Sequence, residues 1–393
     1  MGLPRHWAAN MSTVKEHSVF LKPLRSISPT TFSAIKKCAL NVVWRRNGSP
    51  PLLPTSPKAR VGTAAHKLLA EAGQGRLKAT ADSVNTRWHE LVEEADVAIS
   101  RTPLERHLAP LDSSVPDIEV LRIRATRKAL DIACESQTTP RKDRSHVTPP
   151  SYGHEIPVQS TDRLVRGTID AVIRKDGTGI IIQDYKSGSI VELEDGNEVQ
   201  PKKPYQTQMK MYAGLYAENF GEWPASLELV SLTGERLGVP FTKNDCLNLL
   251  DEAKATLKRI NEAVEYHPSS SLPPILASPS PEACIFCQFR PACGPYRLAA
   301  AKQGKEHWPL DVIGTVESVR RLGNSRMMLS LTTGTDSVNI PGLSPGDRHP
   351  ALLNLKPGDM AGVFNLRRSR PSAPYSESRL TTVHKLEQST LSA

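Results

Sequence analysis

The sequence predicts an α/β protein, a mixed central sheet flanked by helices, followed by an all-β tail. Three observations carry this expectation. Apolar residues recur at helical spacing in several stretches of residues 28–135. Residues 154–184 are dense in β-branched side chains (Ile156, Val158, Val165, Ile169, Val172, Ile180, Ile181, Ile182) and break at Lys175-Asp176-Gly177, the pattern of a hairpin. Residues 308–393 hold five short alternating runs separated by Gly and Pro.

Taken in order, Ser28-Pro29 opens a first helix, a capping serine with proline at the first helical position, and Phe32, Ile35 and Cys38 share one face of it. Residues 47–56 hold Gly48, Pro50, Pro51 and Pro54 and read as loop. A second helix covers 59–72, and 82–135 is helical in pieces broken near Pro103, Pro110 and Pro116. Residues 138–151 read as loop. Strands follow at 154–159, 163–174 and 178–184, then a helix over 204–220, a strand over 227–232 and a long helix opened by the Thr242-x-x-Asp245 capping box. A Pro- and Ser-rich connector spans 268–281. The tail runs lie at 312–319, 327–331, 337–340, 360–366 and 379–383; five strands in so short a segment predict an OB-like barrel that binds nucleic acid. The expected organisation is a loosely ordered basic segment over 1–27, the α/β domain over 28–300 and the barrel over 308–393.

Composition narrows the function. The 393 residues carry a net charge of +9, and residues 1–60 alone hold ten Lys/Arg against one acid, Glu16, so the excess lies at one end. That asymmetry points to a polyanionic partner, most often nucleic acid; a solubilising arm is the plain alternative. No apolar run reaches the roughly 18 residues of a membrane span, and Met1–Asn10 has no secretory pattern, so a cytoplasmic protein without membrane contact is expected. Six cysteines in this length make no disulfide scaffold.

The chemistry concentrates in Gly167-Thr-Ile-Asp170 and Gln183-Asp184-Tyr-Lys186. Period-two geometry puts Asp184 and Lys186 on one face and turns Tyr185 away. Pairing through the Lys175–Gly177 turn brings Asp170 beside Asp184. Two adjacent carboxylates repel unless a cation stands between them, and hard oxygen ligands suit Mg²⁺ or Mn²⁺. Such a metal activates water for attack on a phosphodiester, with Lys186 orienting that water. A surface salt bridge on an ordinary hairpin is the competing reading.

These residues resemble the RecB-like branch of the PD-(D/E)XK nuclease superfamily, over about residues 28–298. Gly62-Thr-Ala-Ala-His66 resembles the branch's Gly-x-x-x-His motif, which implies that His66 ligates the metal. Glu155 lies one strand ahead of Asp170, where these nucleases often carry an acid near the metal. Gln208-Met-Lys-Met-Tyr212 resembles the Gln-x-x-x-Tyr helix that faces DNA, with Gln206 as an alternative register. Ile169 stands where the superfamily name has proline. The resemblance thus implies Asp170, Asp184 and Lys186 as catalytic residues, His66, Asp170, Asp184 and Glu155 as metal ligands, and Gln208 and Tyr212 as DNA contacts.

Cys284-Ile-Phe-Cys287 and Cys293 are spaced as ligands of a soft metal or an iron–sulfur cluster, and a fourth ligand is needed. The resemblance extends to the branch's four-cysteine members, among them CRISPR-associated RecB-like exonucleases and the AddB nuclease domain. It implies a [4Fe–4S] cluster on Cys38, Cys284, Cys287 and Cys293; Cys38 is followed by Ala39 where proline is usual. Zinc on the same thiolates is the competing assignment. Cys134 and Cys246 read as packing residues.

The expected activity is Mg²⁺- or Mn²⁺-dependent cleavage of DNA, more as an exonuclease than an endonuclease and on single strands, in repair, recombination or defence. No G-x-x-x-x-G-K-[ST] motif occurs, so duplex processing needs a helicase in trans. Two other functions fit the same residues: a non-catalytic single-strand binding protein with a structural cluster, and an RNA-directed nuclease. Trp308 and Phe364 are the candidates for base stacking in the tail.

Overall fold

The computed structural model describes residues 21–138, 152–193, 199–266, 274–302, 307–334, 336–369 and 374–387. Helix α1 (Pro29–Lys37) begins as the sequence predicts: the Ser28 side chain accepts a hydrogen bond from the Thr31 amide. Cys38 then takes an extended conformation (φ −163°, ψ 107°), so the chain breaks there and restarts as α2 (Ala39–Arg46), a helix the sequence pattern did not separate. Next come α3 (Pro57–Gly73), α4 (Ala81–Ser100), the short α5 (Leu111–Ser114) and α6 (Ile118–Thr138).

The central sheet is built from β1 (Gly153–Gln159), β2 (Arg166–Lys175) and β3 (Gly179–Lys186), joined after α7 (Lys203–Phe220) by β6 (Ser226–Ser231) and β7 (Arg236–Gly238); β4 (Val191–Leu193) and β5 (Val199–Pro201) pair separately. The order is β1-β2-β3-β6-β7. Only β3 and β6 are parallel, because α7 carries the chain back across the sheet between them. Helix α8 (Lys243–Tyr266) packs on α7. The mixed sheet with flanking helices is the predicted α/β core.

Each face of the sheet has its own core. Ile180 and Ile182 of β3 join Met209, Met211 and Tyr216 of α7 and Phe32 and Trp44 of α1 and α2. Tyr185 and Val230 join Val61, Leu68 and Leu69 of α3, Trp88 of α4 and Ala125 of α6. β3 is therefore covered on both sides, which explains its unbroken isoleucine run.

The N-terminal expectation needs correction for residues 21–27. Ile27 is fully buried and bridges Val165, and Asn261 hydrogen-bonds both the amide and the carbonyl of Leu24, so this stretch is pinned to the α/β core. Residues 1–20 lie outside the described residues.

After α9 (Pro281–Cys284) and α10 (Gly294–Lys302), the tail forms β8 (Val312–Arg321), β9 (Met327–Thr333), β10 (Asp336–Leu343), β11 (Met360–Phe364), β12 (Arg367–Arg368), β13 (Tyr375–Ser376) and β14 (Thr382–Lys385). Five of these make an antiparallel sheet of order β10-β9-β8-β11-β14. The expected closed barrel is not formed: among the described residues β10 and β14 do not pair, so the sheet keeps two edges. The stacking candidates also need correction. Phe364 is fully buried and Trp308 is 8% exposed, both absorbed by the hydrophobic core.

Candidate active site

The site forms where β2 and β3 part. Their last backbone pair is Ala171 with Gln183. One residue further on, the Asp170 carboxylate replaces a main-chain acceptor: its Oδ2 accepts the Tyr185 amide at 2.8 Å. That places Asp170 across from Asp184, as the hairpin register predicts. On the other flank, the pairs His154–Ala171 and Ile156–Ile169 bracket Glu155 opposite Asp170. Glu155 holds φ at 53°, a left-handed conformation that costs a non-glycine residue strain and interrupts the β1 alternation.

Asp184 is 2% exposed and lies on the α7 side of β3 with Lys186. The Lys186 ammonium stands 2.6 Å from Asp184 Oδ2. Gln208 of α7 ties the two together: its Nε2 donates to Asp184 Oδ1 at 2.8 Å, and its Oε1 accepts from Lys186 Nζ at 2.9 Å. The Tyr205 ring, one turn earlier on α7, lies 4.5 Å from the same ammonium, a cation–π contact that the sequence did not signal. Gln208 and Tyr212 are both buried, so neither is open to a nucleic acid in this structure. Tyr212 packs against Gly167, where a Cβ would come within 2.7 Å of its ring; glycine is required there for that approach.

His66 projects from the exposed face of α3 and lines a cleft of about 40 Å³ with Leu69, Ala70, Glu155, Asp170 and Tyr185. The structure thus brings His66, Glu155 and Asp170 to one cleft, with Asp184, Lys186 and Gln208 beside it. Desolvation, assisted by Lys186 and opposed by Asp184, lowers the His66 pKa and favours the neutral imidazole, the form that ligates metals.

The electrostatics suit a cation at this cleft. Burial first, and the Asp184 charge second, push the Asp170 carboxyl up to about 8. Burial also raises Asp184 and Glu155. Asp184 Oδ2 is a buried oxygen whose partner is the Lys186 ammonium at 2.6 Å. The ligand set is not preformed, however: among the described residues no group of three or more His, Cys, Asp or Glu side chains is arranged to hold a metal ion.

A titration follows from Asp170. Its folded pKa lies above the ordinary carboxyl value of 3.8. Between those two values the unfolded chain has released a proton that the folded chain still holds, so stability falls as pH rises through that window. Asp170→Asn removes this slope. In metal-free buffer the variant should gain on the wild type by at most about 3 kcal/mol between pH 5 and 7, read from thermal unfolding, and the gap should close toward pH 4. A constant gap would contradict the raised pKa.

The family model for the PD-(D/E)XK nuclease superfamily matches residues 26–294, the stretch that holds β1–β3, α7 and every carboxylate above. The chain belongs to that superfamily. Among solved structures, it is similar to a provisionally named exonuclease from Eubacterium rectale, at 12% identity and a TM-score of 0.36, over 67% of this chain and 87% of that one. No curated protein matches. The end of β3 is where Asp170, Asp184 and Lys186 meet.

The cysteines form a second group. Cys38, Cys284, Cys287 and Cys293 line one cavity between α1, α2 and the loop after α9. The Cys287 sulfur accepts from Asn41 Nδ2 at 3.0 Å. Burial pushes the Cys284 thiol up to about 11 and raises Cys287 and Cys293 as well, so these thiols stay protonated unless a metal displaces the protons. Cys38 thus lines the same cavity as the three late cysteines, although among the described residues they are not arranged as a ligand set for a metal ion. Cys246 is buried and Cys134 exposed, both apart from this cavity.

Sequence reasoning missed Arg290. It is 1% exposed and donates to the carbonyls of Cys284, Ile285 and Cys287, to Asp311 at 2.8 Å and to Asn365. It fastens the cysteine loop to the residues flanking β8 and β11. An isolated arginine between cysteines gives no sequence signal for such a role.

Proposed function

We propose that this nuclease is a Mg²⁺- or Mn²⁺-dependent deoxyribonuclease acting on single-stranded DNA, more as an exonuclease than an endonuclease. The observation that carries this reading is the Asp184–Lys186–Gln208 knot beside Asp170 at the mouth of β3. Asp170 and Asp184, with His66 and Glu155, would hold the metal, which supplies an acidified water and charge neutralisation at the phosphate. Lys186, released from Asp184 when the carboxylate is engaged, orients the attacking water and offsets charge on the scissile phosphate. Gln208 and Tyr205 fix the direction of the ammonium, and Gln208 also holds one oxygen of Asp184.

Digestion of an end-labelled single strand with and without Mg²⁺ or Mn²⁺ tests this. Cleavage that needs the metal and stops in Asp184→Ala supports it; binding without cleavage in every metal points to a non-catalytic single-strand binding protein. An RNA strand run in parallel decides the sugar preference. Gln208→Leu should lower the turnover rate on the order of 10- to 100-fold with little change in KM, because it loosens positioning without touching substrate. An equal loss in substrate affinity would place Gln208 on the DNA instead.

The four cysteines would hold a [4Fe–4S] cluster, with zinc as the alternative. Protein isolated without oxygen should be brown; a colourless protein with one zinc per chain would exchange one metal for the other and leave the nuclease reading intact. The tail sheet is proposed to be an OB-like nucleic-acid-binding unit, since the order β10-β9-β8-β11-β14 is the OB order without its closing pair. Repair, recombination or defence is the proposed setting, with a helicase in trans for duplex DNA.

A further inference from the structure

The loop between Cys284 and Cys287 shows an arrangement that neither the metal site nor the cysteines require. Phe286 is 83% exposed and its neighbour Ile285 is 45% exposed. A large aromatic side chain left in water is unfavourable, and a mobile loop would fold it away. This loop is held instead. Arg290 caps the carbonyls on both sides of Phe286, those of Ile285 at 3.1 Å and Cys287 at 3.0 Å. The Gln288 carbonyl accepts the amides of Leu52 and Leu53, and the Gln288 side chain donates to the Leu53 carbonyl and to Thr55. Phe289 packs edge-on against Trp44 beneath, with ring centroids 5.4 Å apart. Phe286 is therefore presented on a rigid mount.

The surface beside it is basic. Asn41, whose amide donates to Cys287, also accepts from Arg45 at 3.3 Å, which puts a guanidinium two hydrogen bonds from the loop. Arg46 follows on the same helix, and the Asn47 side chain donates to the Lys22 carbonyl, bringing the 22–25 stretch alongside. Lys22, Arg25, Arg45 and Arg46 are all exposed, and among the described residues none of them is paired with an acid. No Asp or Glu occurs between Glu16 and Glu71. An exposed aromatic among unneutralised cations matches a flexible polyanion with planar bases, and an apolar protein partner would gain nothing from the charges.

We propose that Phe286 is a stacking platform for a base of single-stranded nucleic acid, with Arg45 and Arg46 on the adjoining phosphates. This rests on the nuclease reading and adds where the strand is gripped. The loop is tied to Thr55, just before α3, and His66 lies nine residues along that helix from Pro57, so roughly 14 Å of helix separates the platform's anchor from the metal site.

The test is fluorescence anisotropy with a labelled oligo(dT) on the full chain, in a Lys186→Ala background to suppress cleavage. Phe286→Ala should weaken binding about tenfold, the loss typical of one stacked base, while Phe286→Trp keeps the affinity. Arg45→Ala with Arg46→Ala should flatten the dependence of log Kd on log salt by roughly 0.7 per lost phosphate contact, and Phe286→Ala should leave that slope alone. Unchanged affinity in Phe286→Ala, with the strand still bound, overturns the platform alone and leaves the loop to a protein partner. No binding by any of these proteins overturns the platform as well, and together with no cleavage by the wild type it takes the nuclease reading with it.

Discussion

Lys186→Ala should lose about a thousandfold in cleavage rate, roughly 4 kcal/mol of transition-state stabilisation, while the chain still folds and binds DNA. The expectation follows from position. Lys186 is the last residue of a strand buried on both faces, and its ammonium is held by one carboxylate, one amide and one aromatic ring. Alanine removes all three contacts but leaves a side chain compatible with β3. Lys186→Arg should recover little, because a planar guanidinium does not fit the point contact that Gln208 and Tyr205 make with an ammonium. Single-turnover cleavage at saturating DNA checks this, and a loss of only a few fold would make the lysine a structural partner of Asp184.

Arg290→Ala should cost about 3–5 kcal/mol of stability, because it strands Asp311 as an uncompensated buried charge and frees three carbonyls of the cysteine loop. Asp311 would keep only the Tyr296 hydroxyl at 2.7 Å and the Asn365 amide at 2.8 Å. The apparent melting temperature should fall on the order of 10 °C, and the tail sheet should become the first segment cut in limited proteolysis. Arg290→Ala combined with Asp311→Ala should cost much less than the two losses added, since the pair is removed together. A melting temperature within a degree or two of the wild type would show that this staple is energetically silent.

The hairpin was legible because local rules decide it: a Lys-Asp-Gly turn sets the register, and period two then fixes which side chains share a face with Asp184. The capping serine before α1 was legible for the same reason. What failed depends on tertiary packing. The break at Cys38 lies inside a run of ordinary helix formers, and no residue type there demands an extended φ. Gln208 and Tyr212 sit on a helix buried on nearly every side, so helical spacing could not tell a face toward DNA from a face toward β3. The five tail strands follow from alternation, but barrel closure depends on one long-range pairing between β10 and β14 that no short pattern encodes. Trp308 and Phe364 show the same limit: aromatic residues in a short β domain fill its core before they reach a ligand.

The strain at Glu155 belongs to the site in the same sense. A left-handed glutamate opposite a buried aspartate persists only if the surrounding sheet enforces it, and it sets an acid at the cleft that His66 and Asp170 line.

Counting Mn²⁺ bound at pH 8 by electron paramagnetic resonance, on the wild type, Asp170→Ala and Asp184→Ala, tests the metal site most directly. Wild-type protein should bind Mn²⁺ and cut an end-labelled single strand in proportion to the bound metal, and each alanine variant should lose both together. Equal Mn²⁺ binding by all three proteins, or wild-type cleavage undiminished by a chelator, would contradict a metal held by these two aspartates.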